Sequence, residues 1–552
     1  MTRYLTLLAA TGLLAGPAQA DDFDTAYAGI SGARIGADVA ILASDEFEGR
    51  GPGGDGERRT IDYIADQFEA AGVEPVFGAS YFQPFAIAEY RRGTDARFDL
   101  ADAGEAMGLA LGDDYVLFAG QAEARLDLAA SPVVFGGFGI TAPDQDWDDY
   151  ADINLAGRTL ILFRGDPGTA TGDADLFEGT AMTVNGLVGT KFENAAEHGA
   201  RAVILIHTEQ SAGYPWATMS SGGVGGTQYF LVEDDDEHLT MVAHVSEEAG
   251  RRILSAAGLD FDTAYADAAT HGFRAVETGL VASGQLTGAV TLAETNNVVG
   301  RISGNEAPDE CIIYTAHWDH MGINPDAPTD DTIFNGALDN ATGTAMLINL
   351  ARAFGSLDDS PRRSVYFFAT AAEERGFLGT EHYISDPACA LADTVAVFNM
   401  DAHFPFADHW EALTVPGLGT SELEDIVGEA AARLGRDLQD DGNPQAGGFF
   451  RSDHWPFIKI GVPAIYAVGS PNEAQVEADP EIMARFAAYM TGGYHHAADE
   501  YDADTWRMGG IEGDTQIYFD AGHRVANDNQ FPNFYLQTPY RHLRDAMLRS
   551  SD

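Results

Sequence analysis

Short apolar runs alternate with amphipathic stretches through most of this chain, which is the pattern of an α/β protein. Three runs in the C-terminal half, at 311–316, 364–370 and 395–400, each predict a buried strand. His317 and Asp319 follow the first, Glu373 and Glu374 follow the second, and Asp401 follows the third. Three strands thus deliver acids and a histidine at their C-terminal ends, where open α/β sheets place their sites. Asp339 stands just before an apolar helical stretch at 341–354, at a helix start or in the loop leading to it. Nearer the N-terminus, residues 60–71 have apolar positions at helical spacing and Gly72 as a stop. Around residue 130 the pattern changes. Runs at 133–140, 159–165 and 202–206 predict strands with Gly-rich joins, and 191–199 predicts a helix. The pattern of the flanking chain resumes near Thr295.

The residues at those strand ends carry the chemistry. Together with His495, they give two imidazoles (His317, His495) and three carboxylates (Asp339, Glu374, Asp401). That set suits two zinc-like ions, each with about three protein ligands, one carboxylate shared, and positions open for water. Glu373 stands beside a ligand, where a general base is needed. Taken singly, each residue has a commoner role as a helix cap or a polar strand end; their order and placement together argue for a site. Two divalent ions about 3.5–4 Å apart lower the pKa of a shared water and polarise a carbonyl, which suits peptide hydrolysis. Other chemistries lack their motifs: there is no His-Glu-x-x-His, no Gly-x-Ser-x-Gly and no Gly-x-x-x-x-Gly-Lys.

Six motifs in fixed order extend this reading: Glu-Gly-Arg-Gly-Pro-Gly at 48–53, Thr-Ala-His-Trp-Asp-His-Met-Gly at 315–322, Asn-Gly-Ala-Leu-Asp-Asn-Ala-Thr-Gly at 335–343, Thr-Ala-Ala-Glu-Glu-Arg-Gly at 370–376, Arg-Ser-Asp-His-Trp-Pro-Phe at 451–457 and Tyr-His-His-Ala-Ala-Asp-Glu at 494–500. On these motifs the chain resembles the zinc-dependent exopeptidases with co-catalytic metals, in particular bacterial exported aminopeptidases with an inserted protease-associated (PA) domain. The resemblance implies a mixed, mostly parallel sheet flanked by helices, with a β-rich insert. It divides the chain into a signal peptide at 1–20, a catalytic domain in two parts at 21–125 and 275–552, and the insert at 126–274. It implies that His317 and Asp401 bind one metal, Glu374 and His495 the other, and that Asp339 bridges them. Asp319 would hold the far nitrogen of His317 through its carboxylate, and Glu373 would move the proton. Asp499, four residues after His495, selects that histidine over His496. Two zinc ions are expected, with cobalt or manganese as alternatives. A Tyr that many relatives carry before Ser-Asp-His is replaced here by Phe449 and Phe450, so Asp453 and His454 become candidates for substrate contact; His454 or Tyr494 could supply the lost donor. The alternative is that Asp453 and His454 only brace the segment 455–457.

Composition adds three constraints. Residues 1–20 read as a secretory signal, with Arg3, a short apolar core at 5–14 and Ala-Gln-Ala at 18–20, and no later stretch is apolar enough to span a bilayer. The expected location is therefore the periplasm or the exterior. With 31 basic and 86 acidic residues and a net charge of −55, the surface would repel nucleic acid. Cys311 and Cys389 make no disulfide framework; a single bridge is possible in an oxidising compartment, and Cys311 reads as a buried apolar residue. The expected partners are peptides. The insert is expected to act as a lid or a substrate-orienting domain, with the Gly-rich segment 214–223 reaching over the cleft or packing as a surface loop. Other readings are a carboxypeptidase or glutaminyl cyclase on the same scaffold, or a peptide-binding protein without catalysis.

Overall fold

In the computed structural model, which describes residues 22–232, 237–325 and 329–550, four strands run parallel in the order Ala464–Tyr466, Thr394–Asn399, Ala307–His317 and Arg363–Thr370. The last two of these as well as Thr394–Asn399 cover the three predicted strands, and two of them are buried at every position. A strand apolar on both faces needs cover on both sides, and each face has its own core. Ile312, Tyr314 and Ala316 join one cluster with the helices Gly32–Leu42, Asp55–Ala70, Thr342–Gly355 and Gly509–Asn527. Cys311 and Ile313 point the other way, toward Tyr383, Phe457 and Ile458. The helix expected from residue 60 starts earlier, at Asp55.

The 27-residue strand Val276–Ile302 continues the sheet. Its second half runs antiparallel to Arg363–Thr370 and to Phe82–Arg92. Its first half pairs with Arg125–Phe135 and Arg97–Asp102 in the inserted unit. There Arg125–Phe135, Thr159–Phe163, Ala202–His207 and Met241–Ser246 run parallel, and Tyr115–Ala119 closes the edge antiparallel. This sheet takes in strands from Arg97 onward, ahead of the expected boundary at 126, and it shares the long strand beyond 274. Helices such as Val188–Glu197 and Glu247–Ala256 cover it, so the unit is α/β rather than simply β-rich. The segment expected as a Gly-rich loop over the cleft forms a helix, Trp216–Gly225. Trp216 Nε1 donates to the Gly112 carbonyl at 3.2 Å, and the Tyr214 ring packs 5.1 Å from His207. Both aromatics therefore anchor the segment to the insert itself.

Cys311 and Cys389 are joined by a disulfide that closes a 78-residue separation. Both residues are buried. Nothing in the sequence around two isolated cysteines signals that pairing; the fold creates it by setting the turn after 385 beside the strand that holds Cys311. Cys389→Ser is expected to cost about 2–4 kcal/mol by freeing the unfolded chain. Urea midpoints of parent and variant, each with and without reductant, check this: reductant should lower only the parent.

Candidate metal centre

The parallel strands end in register, His317 beside Thr370 and Thr315 beside Asn399, so their C-terminal turns face one another. His317 Nε2 lies 3.2 Å from Asp401 Oδ1 and 3.3 Å from Asp339 Oδ1. His495 Nε2 lies 3.2 Å from the other oxygen of Asp339, Oδ2, and 3.1 Å from Glu374 Oε2. One carboxylate thus presents one oxygen to each of two imidazoles. Two ligand atoms each about 2.0–2.2 Å from a tetrahedral ion lie about 3.4 Å apart, so these separations fit two shared ions. Glu373 Oε2 stands 4.0 Å from His317 Nε2, farther than either Asp339 or Asp401, and groups with His317 and Asp401 as a possible metal-holding set.

The electrostatics point the same way. Burial opposes charge on His317, yet the Glu373 and Asp401 carboxylates hold its imidazole well above the ordinary value. Burial likewise opposes His495, but its bonds to Asp339 and Glu374 push it up to about 10. Burial, with Asp401 and Glu374 nearby, drives Glu373 well above 4.5 against the pull of His317. Asp339 is held well below its usual value by His317 and His495 despite burial. Each imidazole behaves as though it must be a cation, which is the charge the carboxylates demand and that divalent ions would supply.

A shell of buried groups fixes this cluster. Asp499 accepts from the backbone of Leu338 at 2.9 Å and of Asp339 at 3.1 Å. Asn340, joined to Asp339 by a cis peptide, accepts from Gly343 and Ala402 and donates to the Met400 carbonyl. Tyr466 donates to the Asp401 carbonyl at 2.9 Å. Arg50, fully buried, donates to the carbonyls of Trp318, Leu42, Asn335 and Gly336. Gly49 has φ +64°, and a Cβ there would sit 2.5 Å from the Phe334 carbonyl oxygen. Gly336 has φ +54°, and its Cβ would strike the His320 ring at 2.4 Å.

The fold gathers His317, Asp339, Glu373, Glu374, Asp401 and His495 in one place. His496 lies outside, its ring nitrogen on the Tyr494 carbonyl, while the Tyr494 ring stacks on His495 at 3.9 Å. Asp319 is adjacent, but its part differs in detail from the expectation. Its backbone carbonyl, not its carboxylate, meets His317 Nδ1, at 3.1 Å; the carboxylate is 3.8 Å away and accepts from the Glu373 backbone at 3.1 Å. Asp453 and His454 are 0% and 1% exposed. Asp453 accepts from Thr380 at 2.6 Å, and His454, drawn to about 4 by burial, packs beside Phe449 and Tyr466. Both side chains thus lie beneath the surface and present no open face in this structure. Sequence reasoning passed over His320, whose Nδ1 is 2.7 Å from Glu374 Oε1 and which groups with Asp339 and Glu374 as a possible metal-holding set. Its spacing from His317, His-x-x-His, was the available signal.

Residues 297–519 match peptidase family M28. A "Probable zinc metalloprotease" of Pyrenophora teres f. teres is 33% identical over 109 residues, 19% of this chain and 22% of that one. "Aminopeptidase YwaD" of Bacillus subtilis is 25% identical over 295 residues, 52% of each chain. Among solved structures, an aminopeptidase from Aneurinibacillus sp. strain AM-1 superposes with a TM-score of 0.50 at 18% identity, covering 92% of this chain and 97% of that one, which speaks to the fold. The chain spans about a fifth to a half of the length of the curated relatives it matches. The acid and histidine cluster is built within the stretch that matches peptidase family M28.

Proposed function

We propose that the protein is a metallo-aminopeptidase that removes N-terminal residues at a two-zinc site. The observation that carries this reading is Asp339 placed between His317 and His495, one oxygen toward each. His317 and Asp401 would hold one ion, His495 and Glu374 the other, and Asp339 both; cobalt or manganese would fit the same donors. Such ions would supply Lewis acidity and an acidified water. Glu373 accepts a proton from the attacking water and returns it to the leaving amine. Asp319 holds the Glu373 backbone, and Arg50 and Asp499 keep the two ligand loops in place. A free amino terminus suits the surplus of carboxylates, which favours aminopeptidase over carboxypeptidase or glutaminyl cyclase action. We read the inserted unit as of protease-associated type.

Residues 1–20 lie outside the described residues, and export to the periplasm or the exterior is part of the proposal. A disulfide agrees with an oxidising compartment, and no described helix is long and apolar enough to cross a membrane. Cleavage of free but not N-acetylated aminoacyl amides tests the aminopeptidase reading.

The base also sets a pH dependence. Glu373 works only deprotonated, so kcat/KM is expected to fall as pH drops through its pKa in the zinc-loaded protein, and a profile with no acid limb would contradict it.

A further inference from the structure

A groove of about 750 Å³ opens beside His495, between the 48–56 loop, the 321–325 loop, the strand Thr227–Leu231 of the inserted unit, and Arg375. The two carboxylates on its walls are both engaged: Glu89 pairs with Arg91, and Glu48 lies 3.2 Å from Arg59. Among the described residues Arg375 forms no ion pair, and the carboxylate that feels its charge is that of Asp319. Its guanidinium lies over the Tyr229 ring, 4.2 Å from the centroid. Tyr229 is held in turn by strand pairing opposite Glu89.

A guanidinium stacked on an aromatic face keeps N–H groups along its edge, in the fork that matches a carboxylate. Over most of a chain with net charge −55 a carboxylate ligand is repelled; an unpaired arginine in a cleft is a place that can hold one. Arg375 directly follows Glu374 in the chain, so such a ligand would lie close to the metal cluster. A second cleft, of about 920 Å³, holds none of the cluster residues.

We propose that the groove binds a carboxylate carried on the leaving side of the peptide, with Arg375 as the specificity-determining residue and Tyr229 as its support. The inference rests on the peptidase reading of the neighbouring cluster. The carboxylate has two sources, the C-terminus of a short peptide or an acidic side chain next to the cleaved bond.

The test uses zinc-loaded full-length Glu373→Gln protein and calorimetric binding of Leu-Gly, Leu-Gly amide and Leu-Asp amide. Leu-Gly or Leu-Asp amide should bind about 10- to 100-fold tighter than Leu-Gly amide, and whichever gains more identifies the source. Adding Arg375→Met should bring that ratio to within about twofold, and Arg375→Lys should restore part of it. Tyr229→Leu, made on the insert, should lower the same ratio and serves if the Arg375 variants do not fold. Equal binding of acid and amide, or a ratio that survives Arg375→Met, overturns the proposal. Turnover of the three peptides by the parent protein separates the two readings: an intact ratio without any cleavage would defeat the aminopeptidase assignment and leave the groove assignment standing.

Discussion

Glu373→Gln is expected to lower turnover about 10²- to 10⁴-fold, the range that loss of a general base produces, while the protein keeps its metal. The side chain sits 4.0 Å from His317 Nε2, outside the 3.1–3.3 Å contacts that define the ligand pairs. The amide is nearly the same size and cannot accept the proton. Its backbone stays anchored, because the bond from the Glu373 N–H to Asp319 does not involve the altered group. The drop should fall on kcat, with KM little changed, since a proton in transit is a transition-state interaction. The acid limb of the pH profile should vanish in the residual activity. Loss of bound zinc in this variant would mean that Glu373 is a ligand.

Arg50→Met is the substitution with the largest expected effect on stability. Arg50 reaches no solvent, and its guanidinium ties Leu42, Trp318, Asn335 and Gly336 through their carbonyls. Burial draws its pKa down to about 10, with Asp499 and Asp319 opposing, so it stays charged at neutral pH. Methionine fills part of the space but leaves the buried carbonyls of Leu42, Trp318 and Asn335 without donors, each worth about 1–3 kcal/mol when unmet; the Gly336 carbonyl still accepts from the Ala341 N–H. Some of them will relax, so a loss of about 3–5 kcal/mol is expected from urea unfolding. Zinc affinity should fall as well, because Trp318 follows His317 and Gly336 leads into Asp339. Arg50→Lys should recover little, since one ammonium cannot reach four carbonyls on three segments. A change below about 1 kcal/mol would show that water or a backbone shift takes over these bonds.

These two residues also mark how far the sequence could be read. Glu373 was legible because it follows an apolar run and abuts Glu374; strand ends and residue type were enough. The same held for His317, Glu374 and Asp401, because a parallel sheet converts chain order into proximity at one edge; Asp339 stands before a helix, and His495 was singled out over His496 by the family resemblance and Asp499. Arg50 was legible only as part of a Gly-rich motif. Its work is to satisfy carbonyls 268 to 286 residues away, and no local pattern encodes a partner at that distance. His320 escaped because a third histidine in a short motif looks redundant until the Glu374 carboxylate is seen beside it. The change of pattern near residue 130 marked a second sheet, which also takes in strands before residue 126. Arg97–Asp102 carries little apolar signal of its own and becomes sheet by pairing with Val276–Ile302, whereas Tyr115–Ala119 is an apolar run that pairs with Met241–Ser246. The helix at Trp216–Gly225 was hidden by its glycines, which normally disfavour helices. The disulfide was hidden because two cysteines 78 residues apart carry no spacing rule.

The measurement that bears most directly on the two-metal aminopeptidase is zinc content per chain of the purified protein, made together with hydrolysis of free and N-acetylated aminoacyl amides on the same sample. The expected result is about two zinc ions per chain, cleavage of free amino termini alone, and loss of both metal and turnover on chelation with recovery when zinc is returned. One ion per chain at full activity, or no metal and no turnover after zinc is supplied, would contradict it. The first outcome would remove the bridging role from Asp339, and the second would return the cluster to a binding function without catalysis.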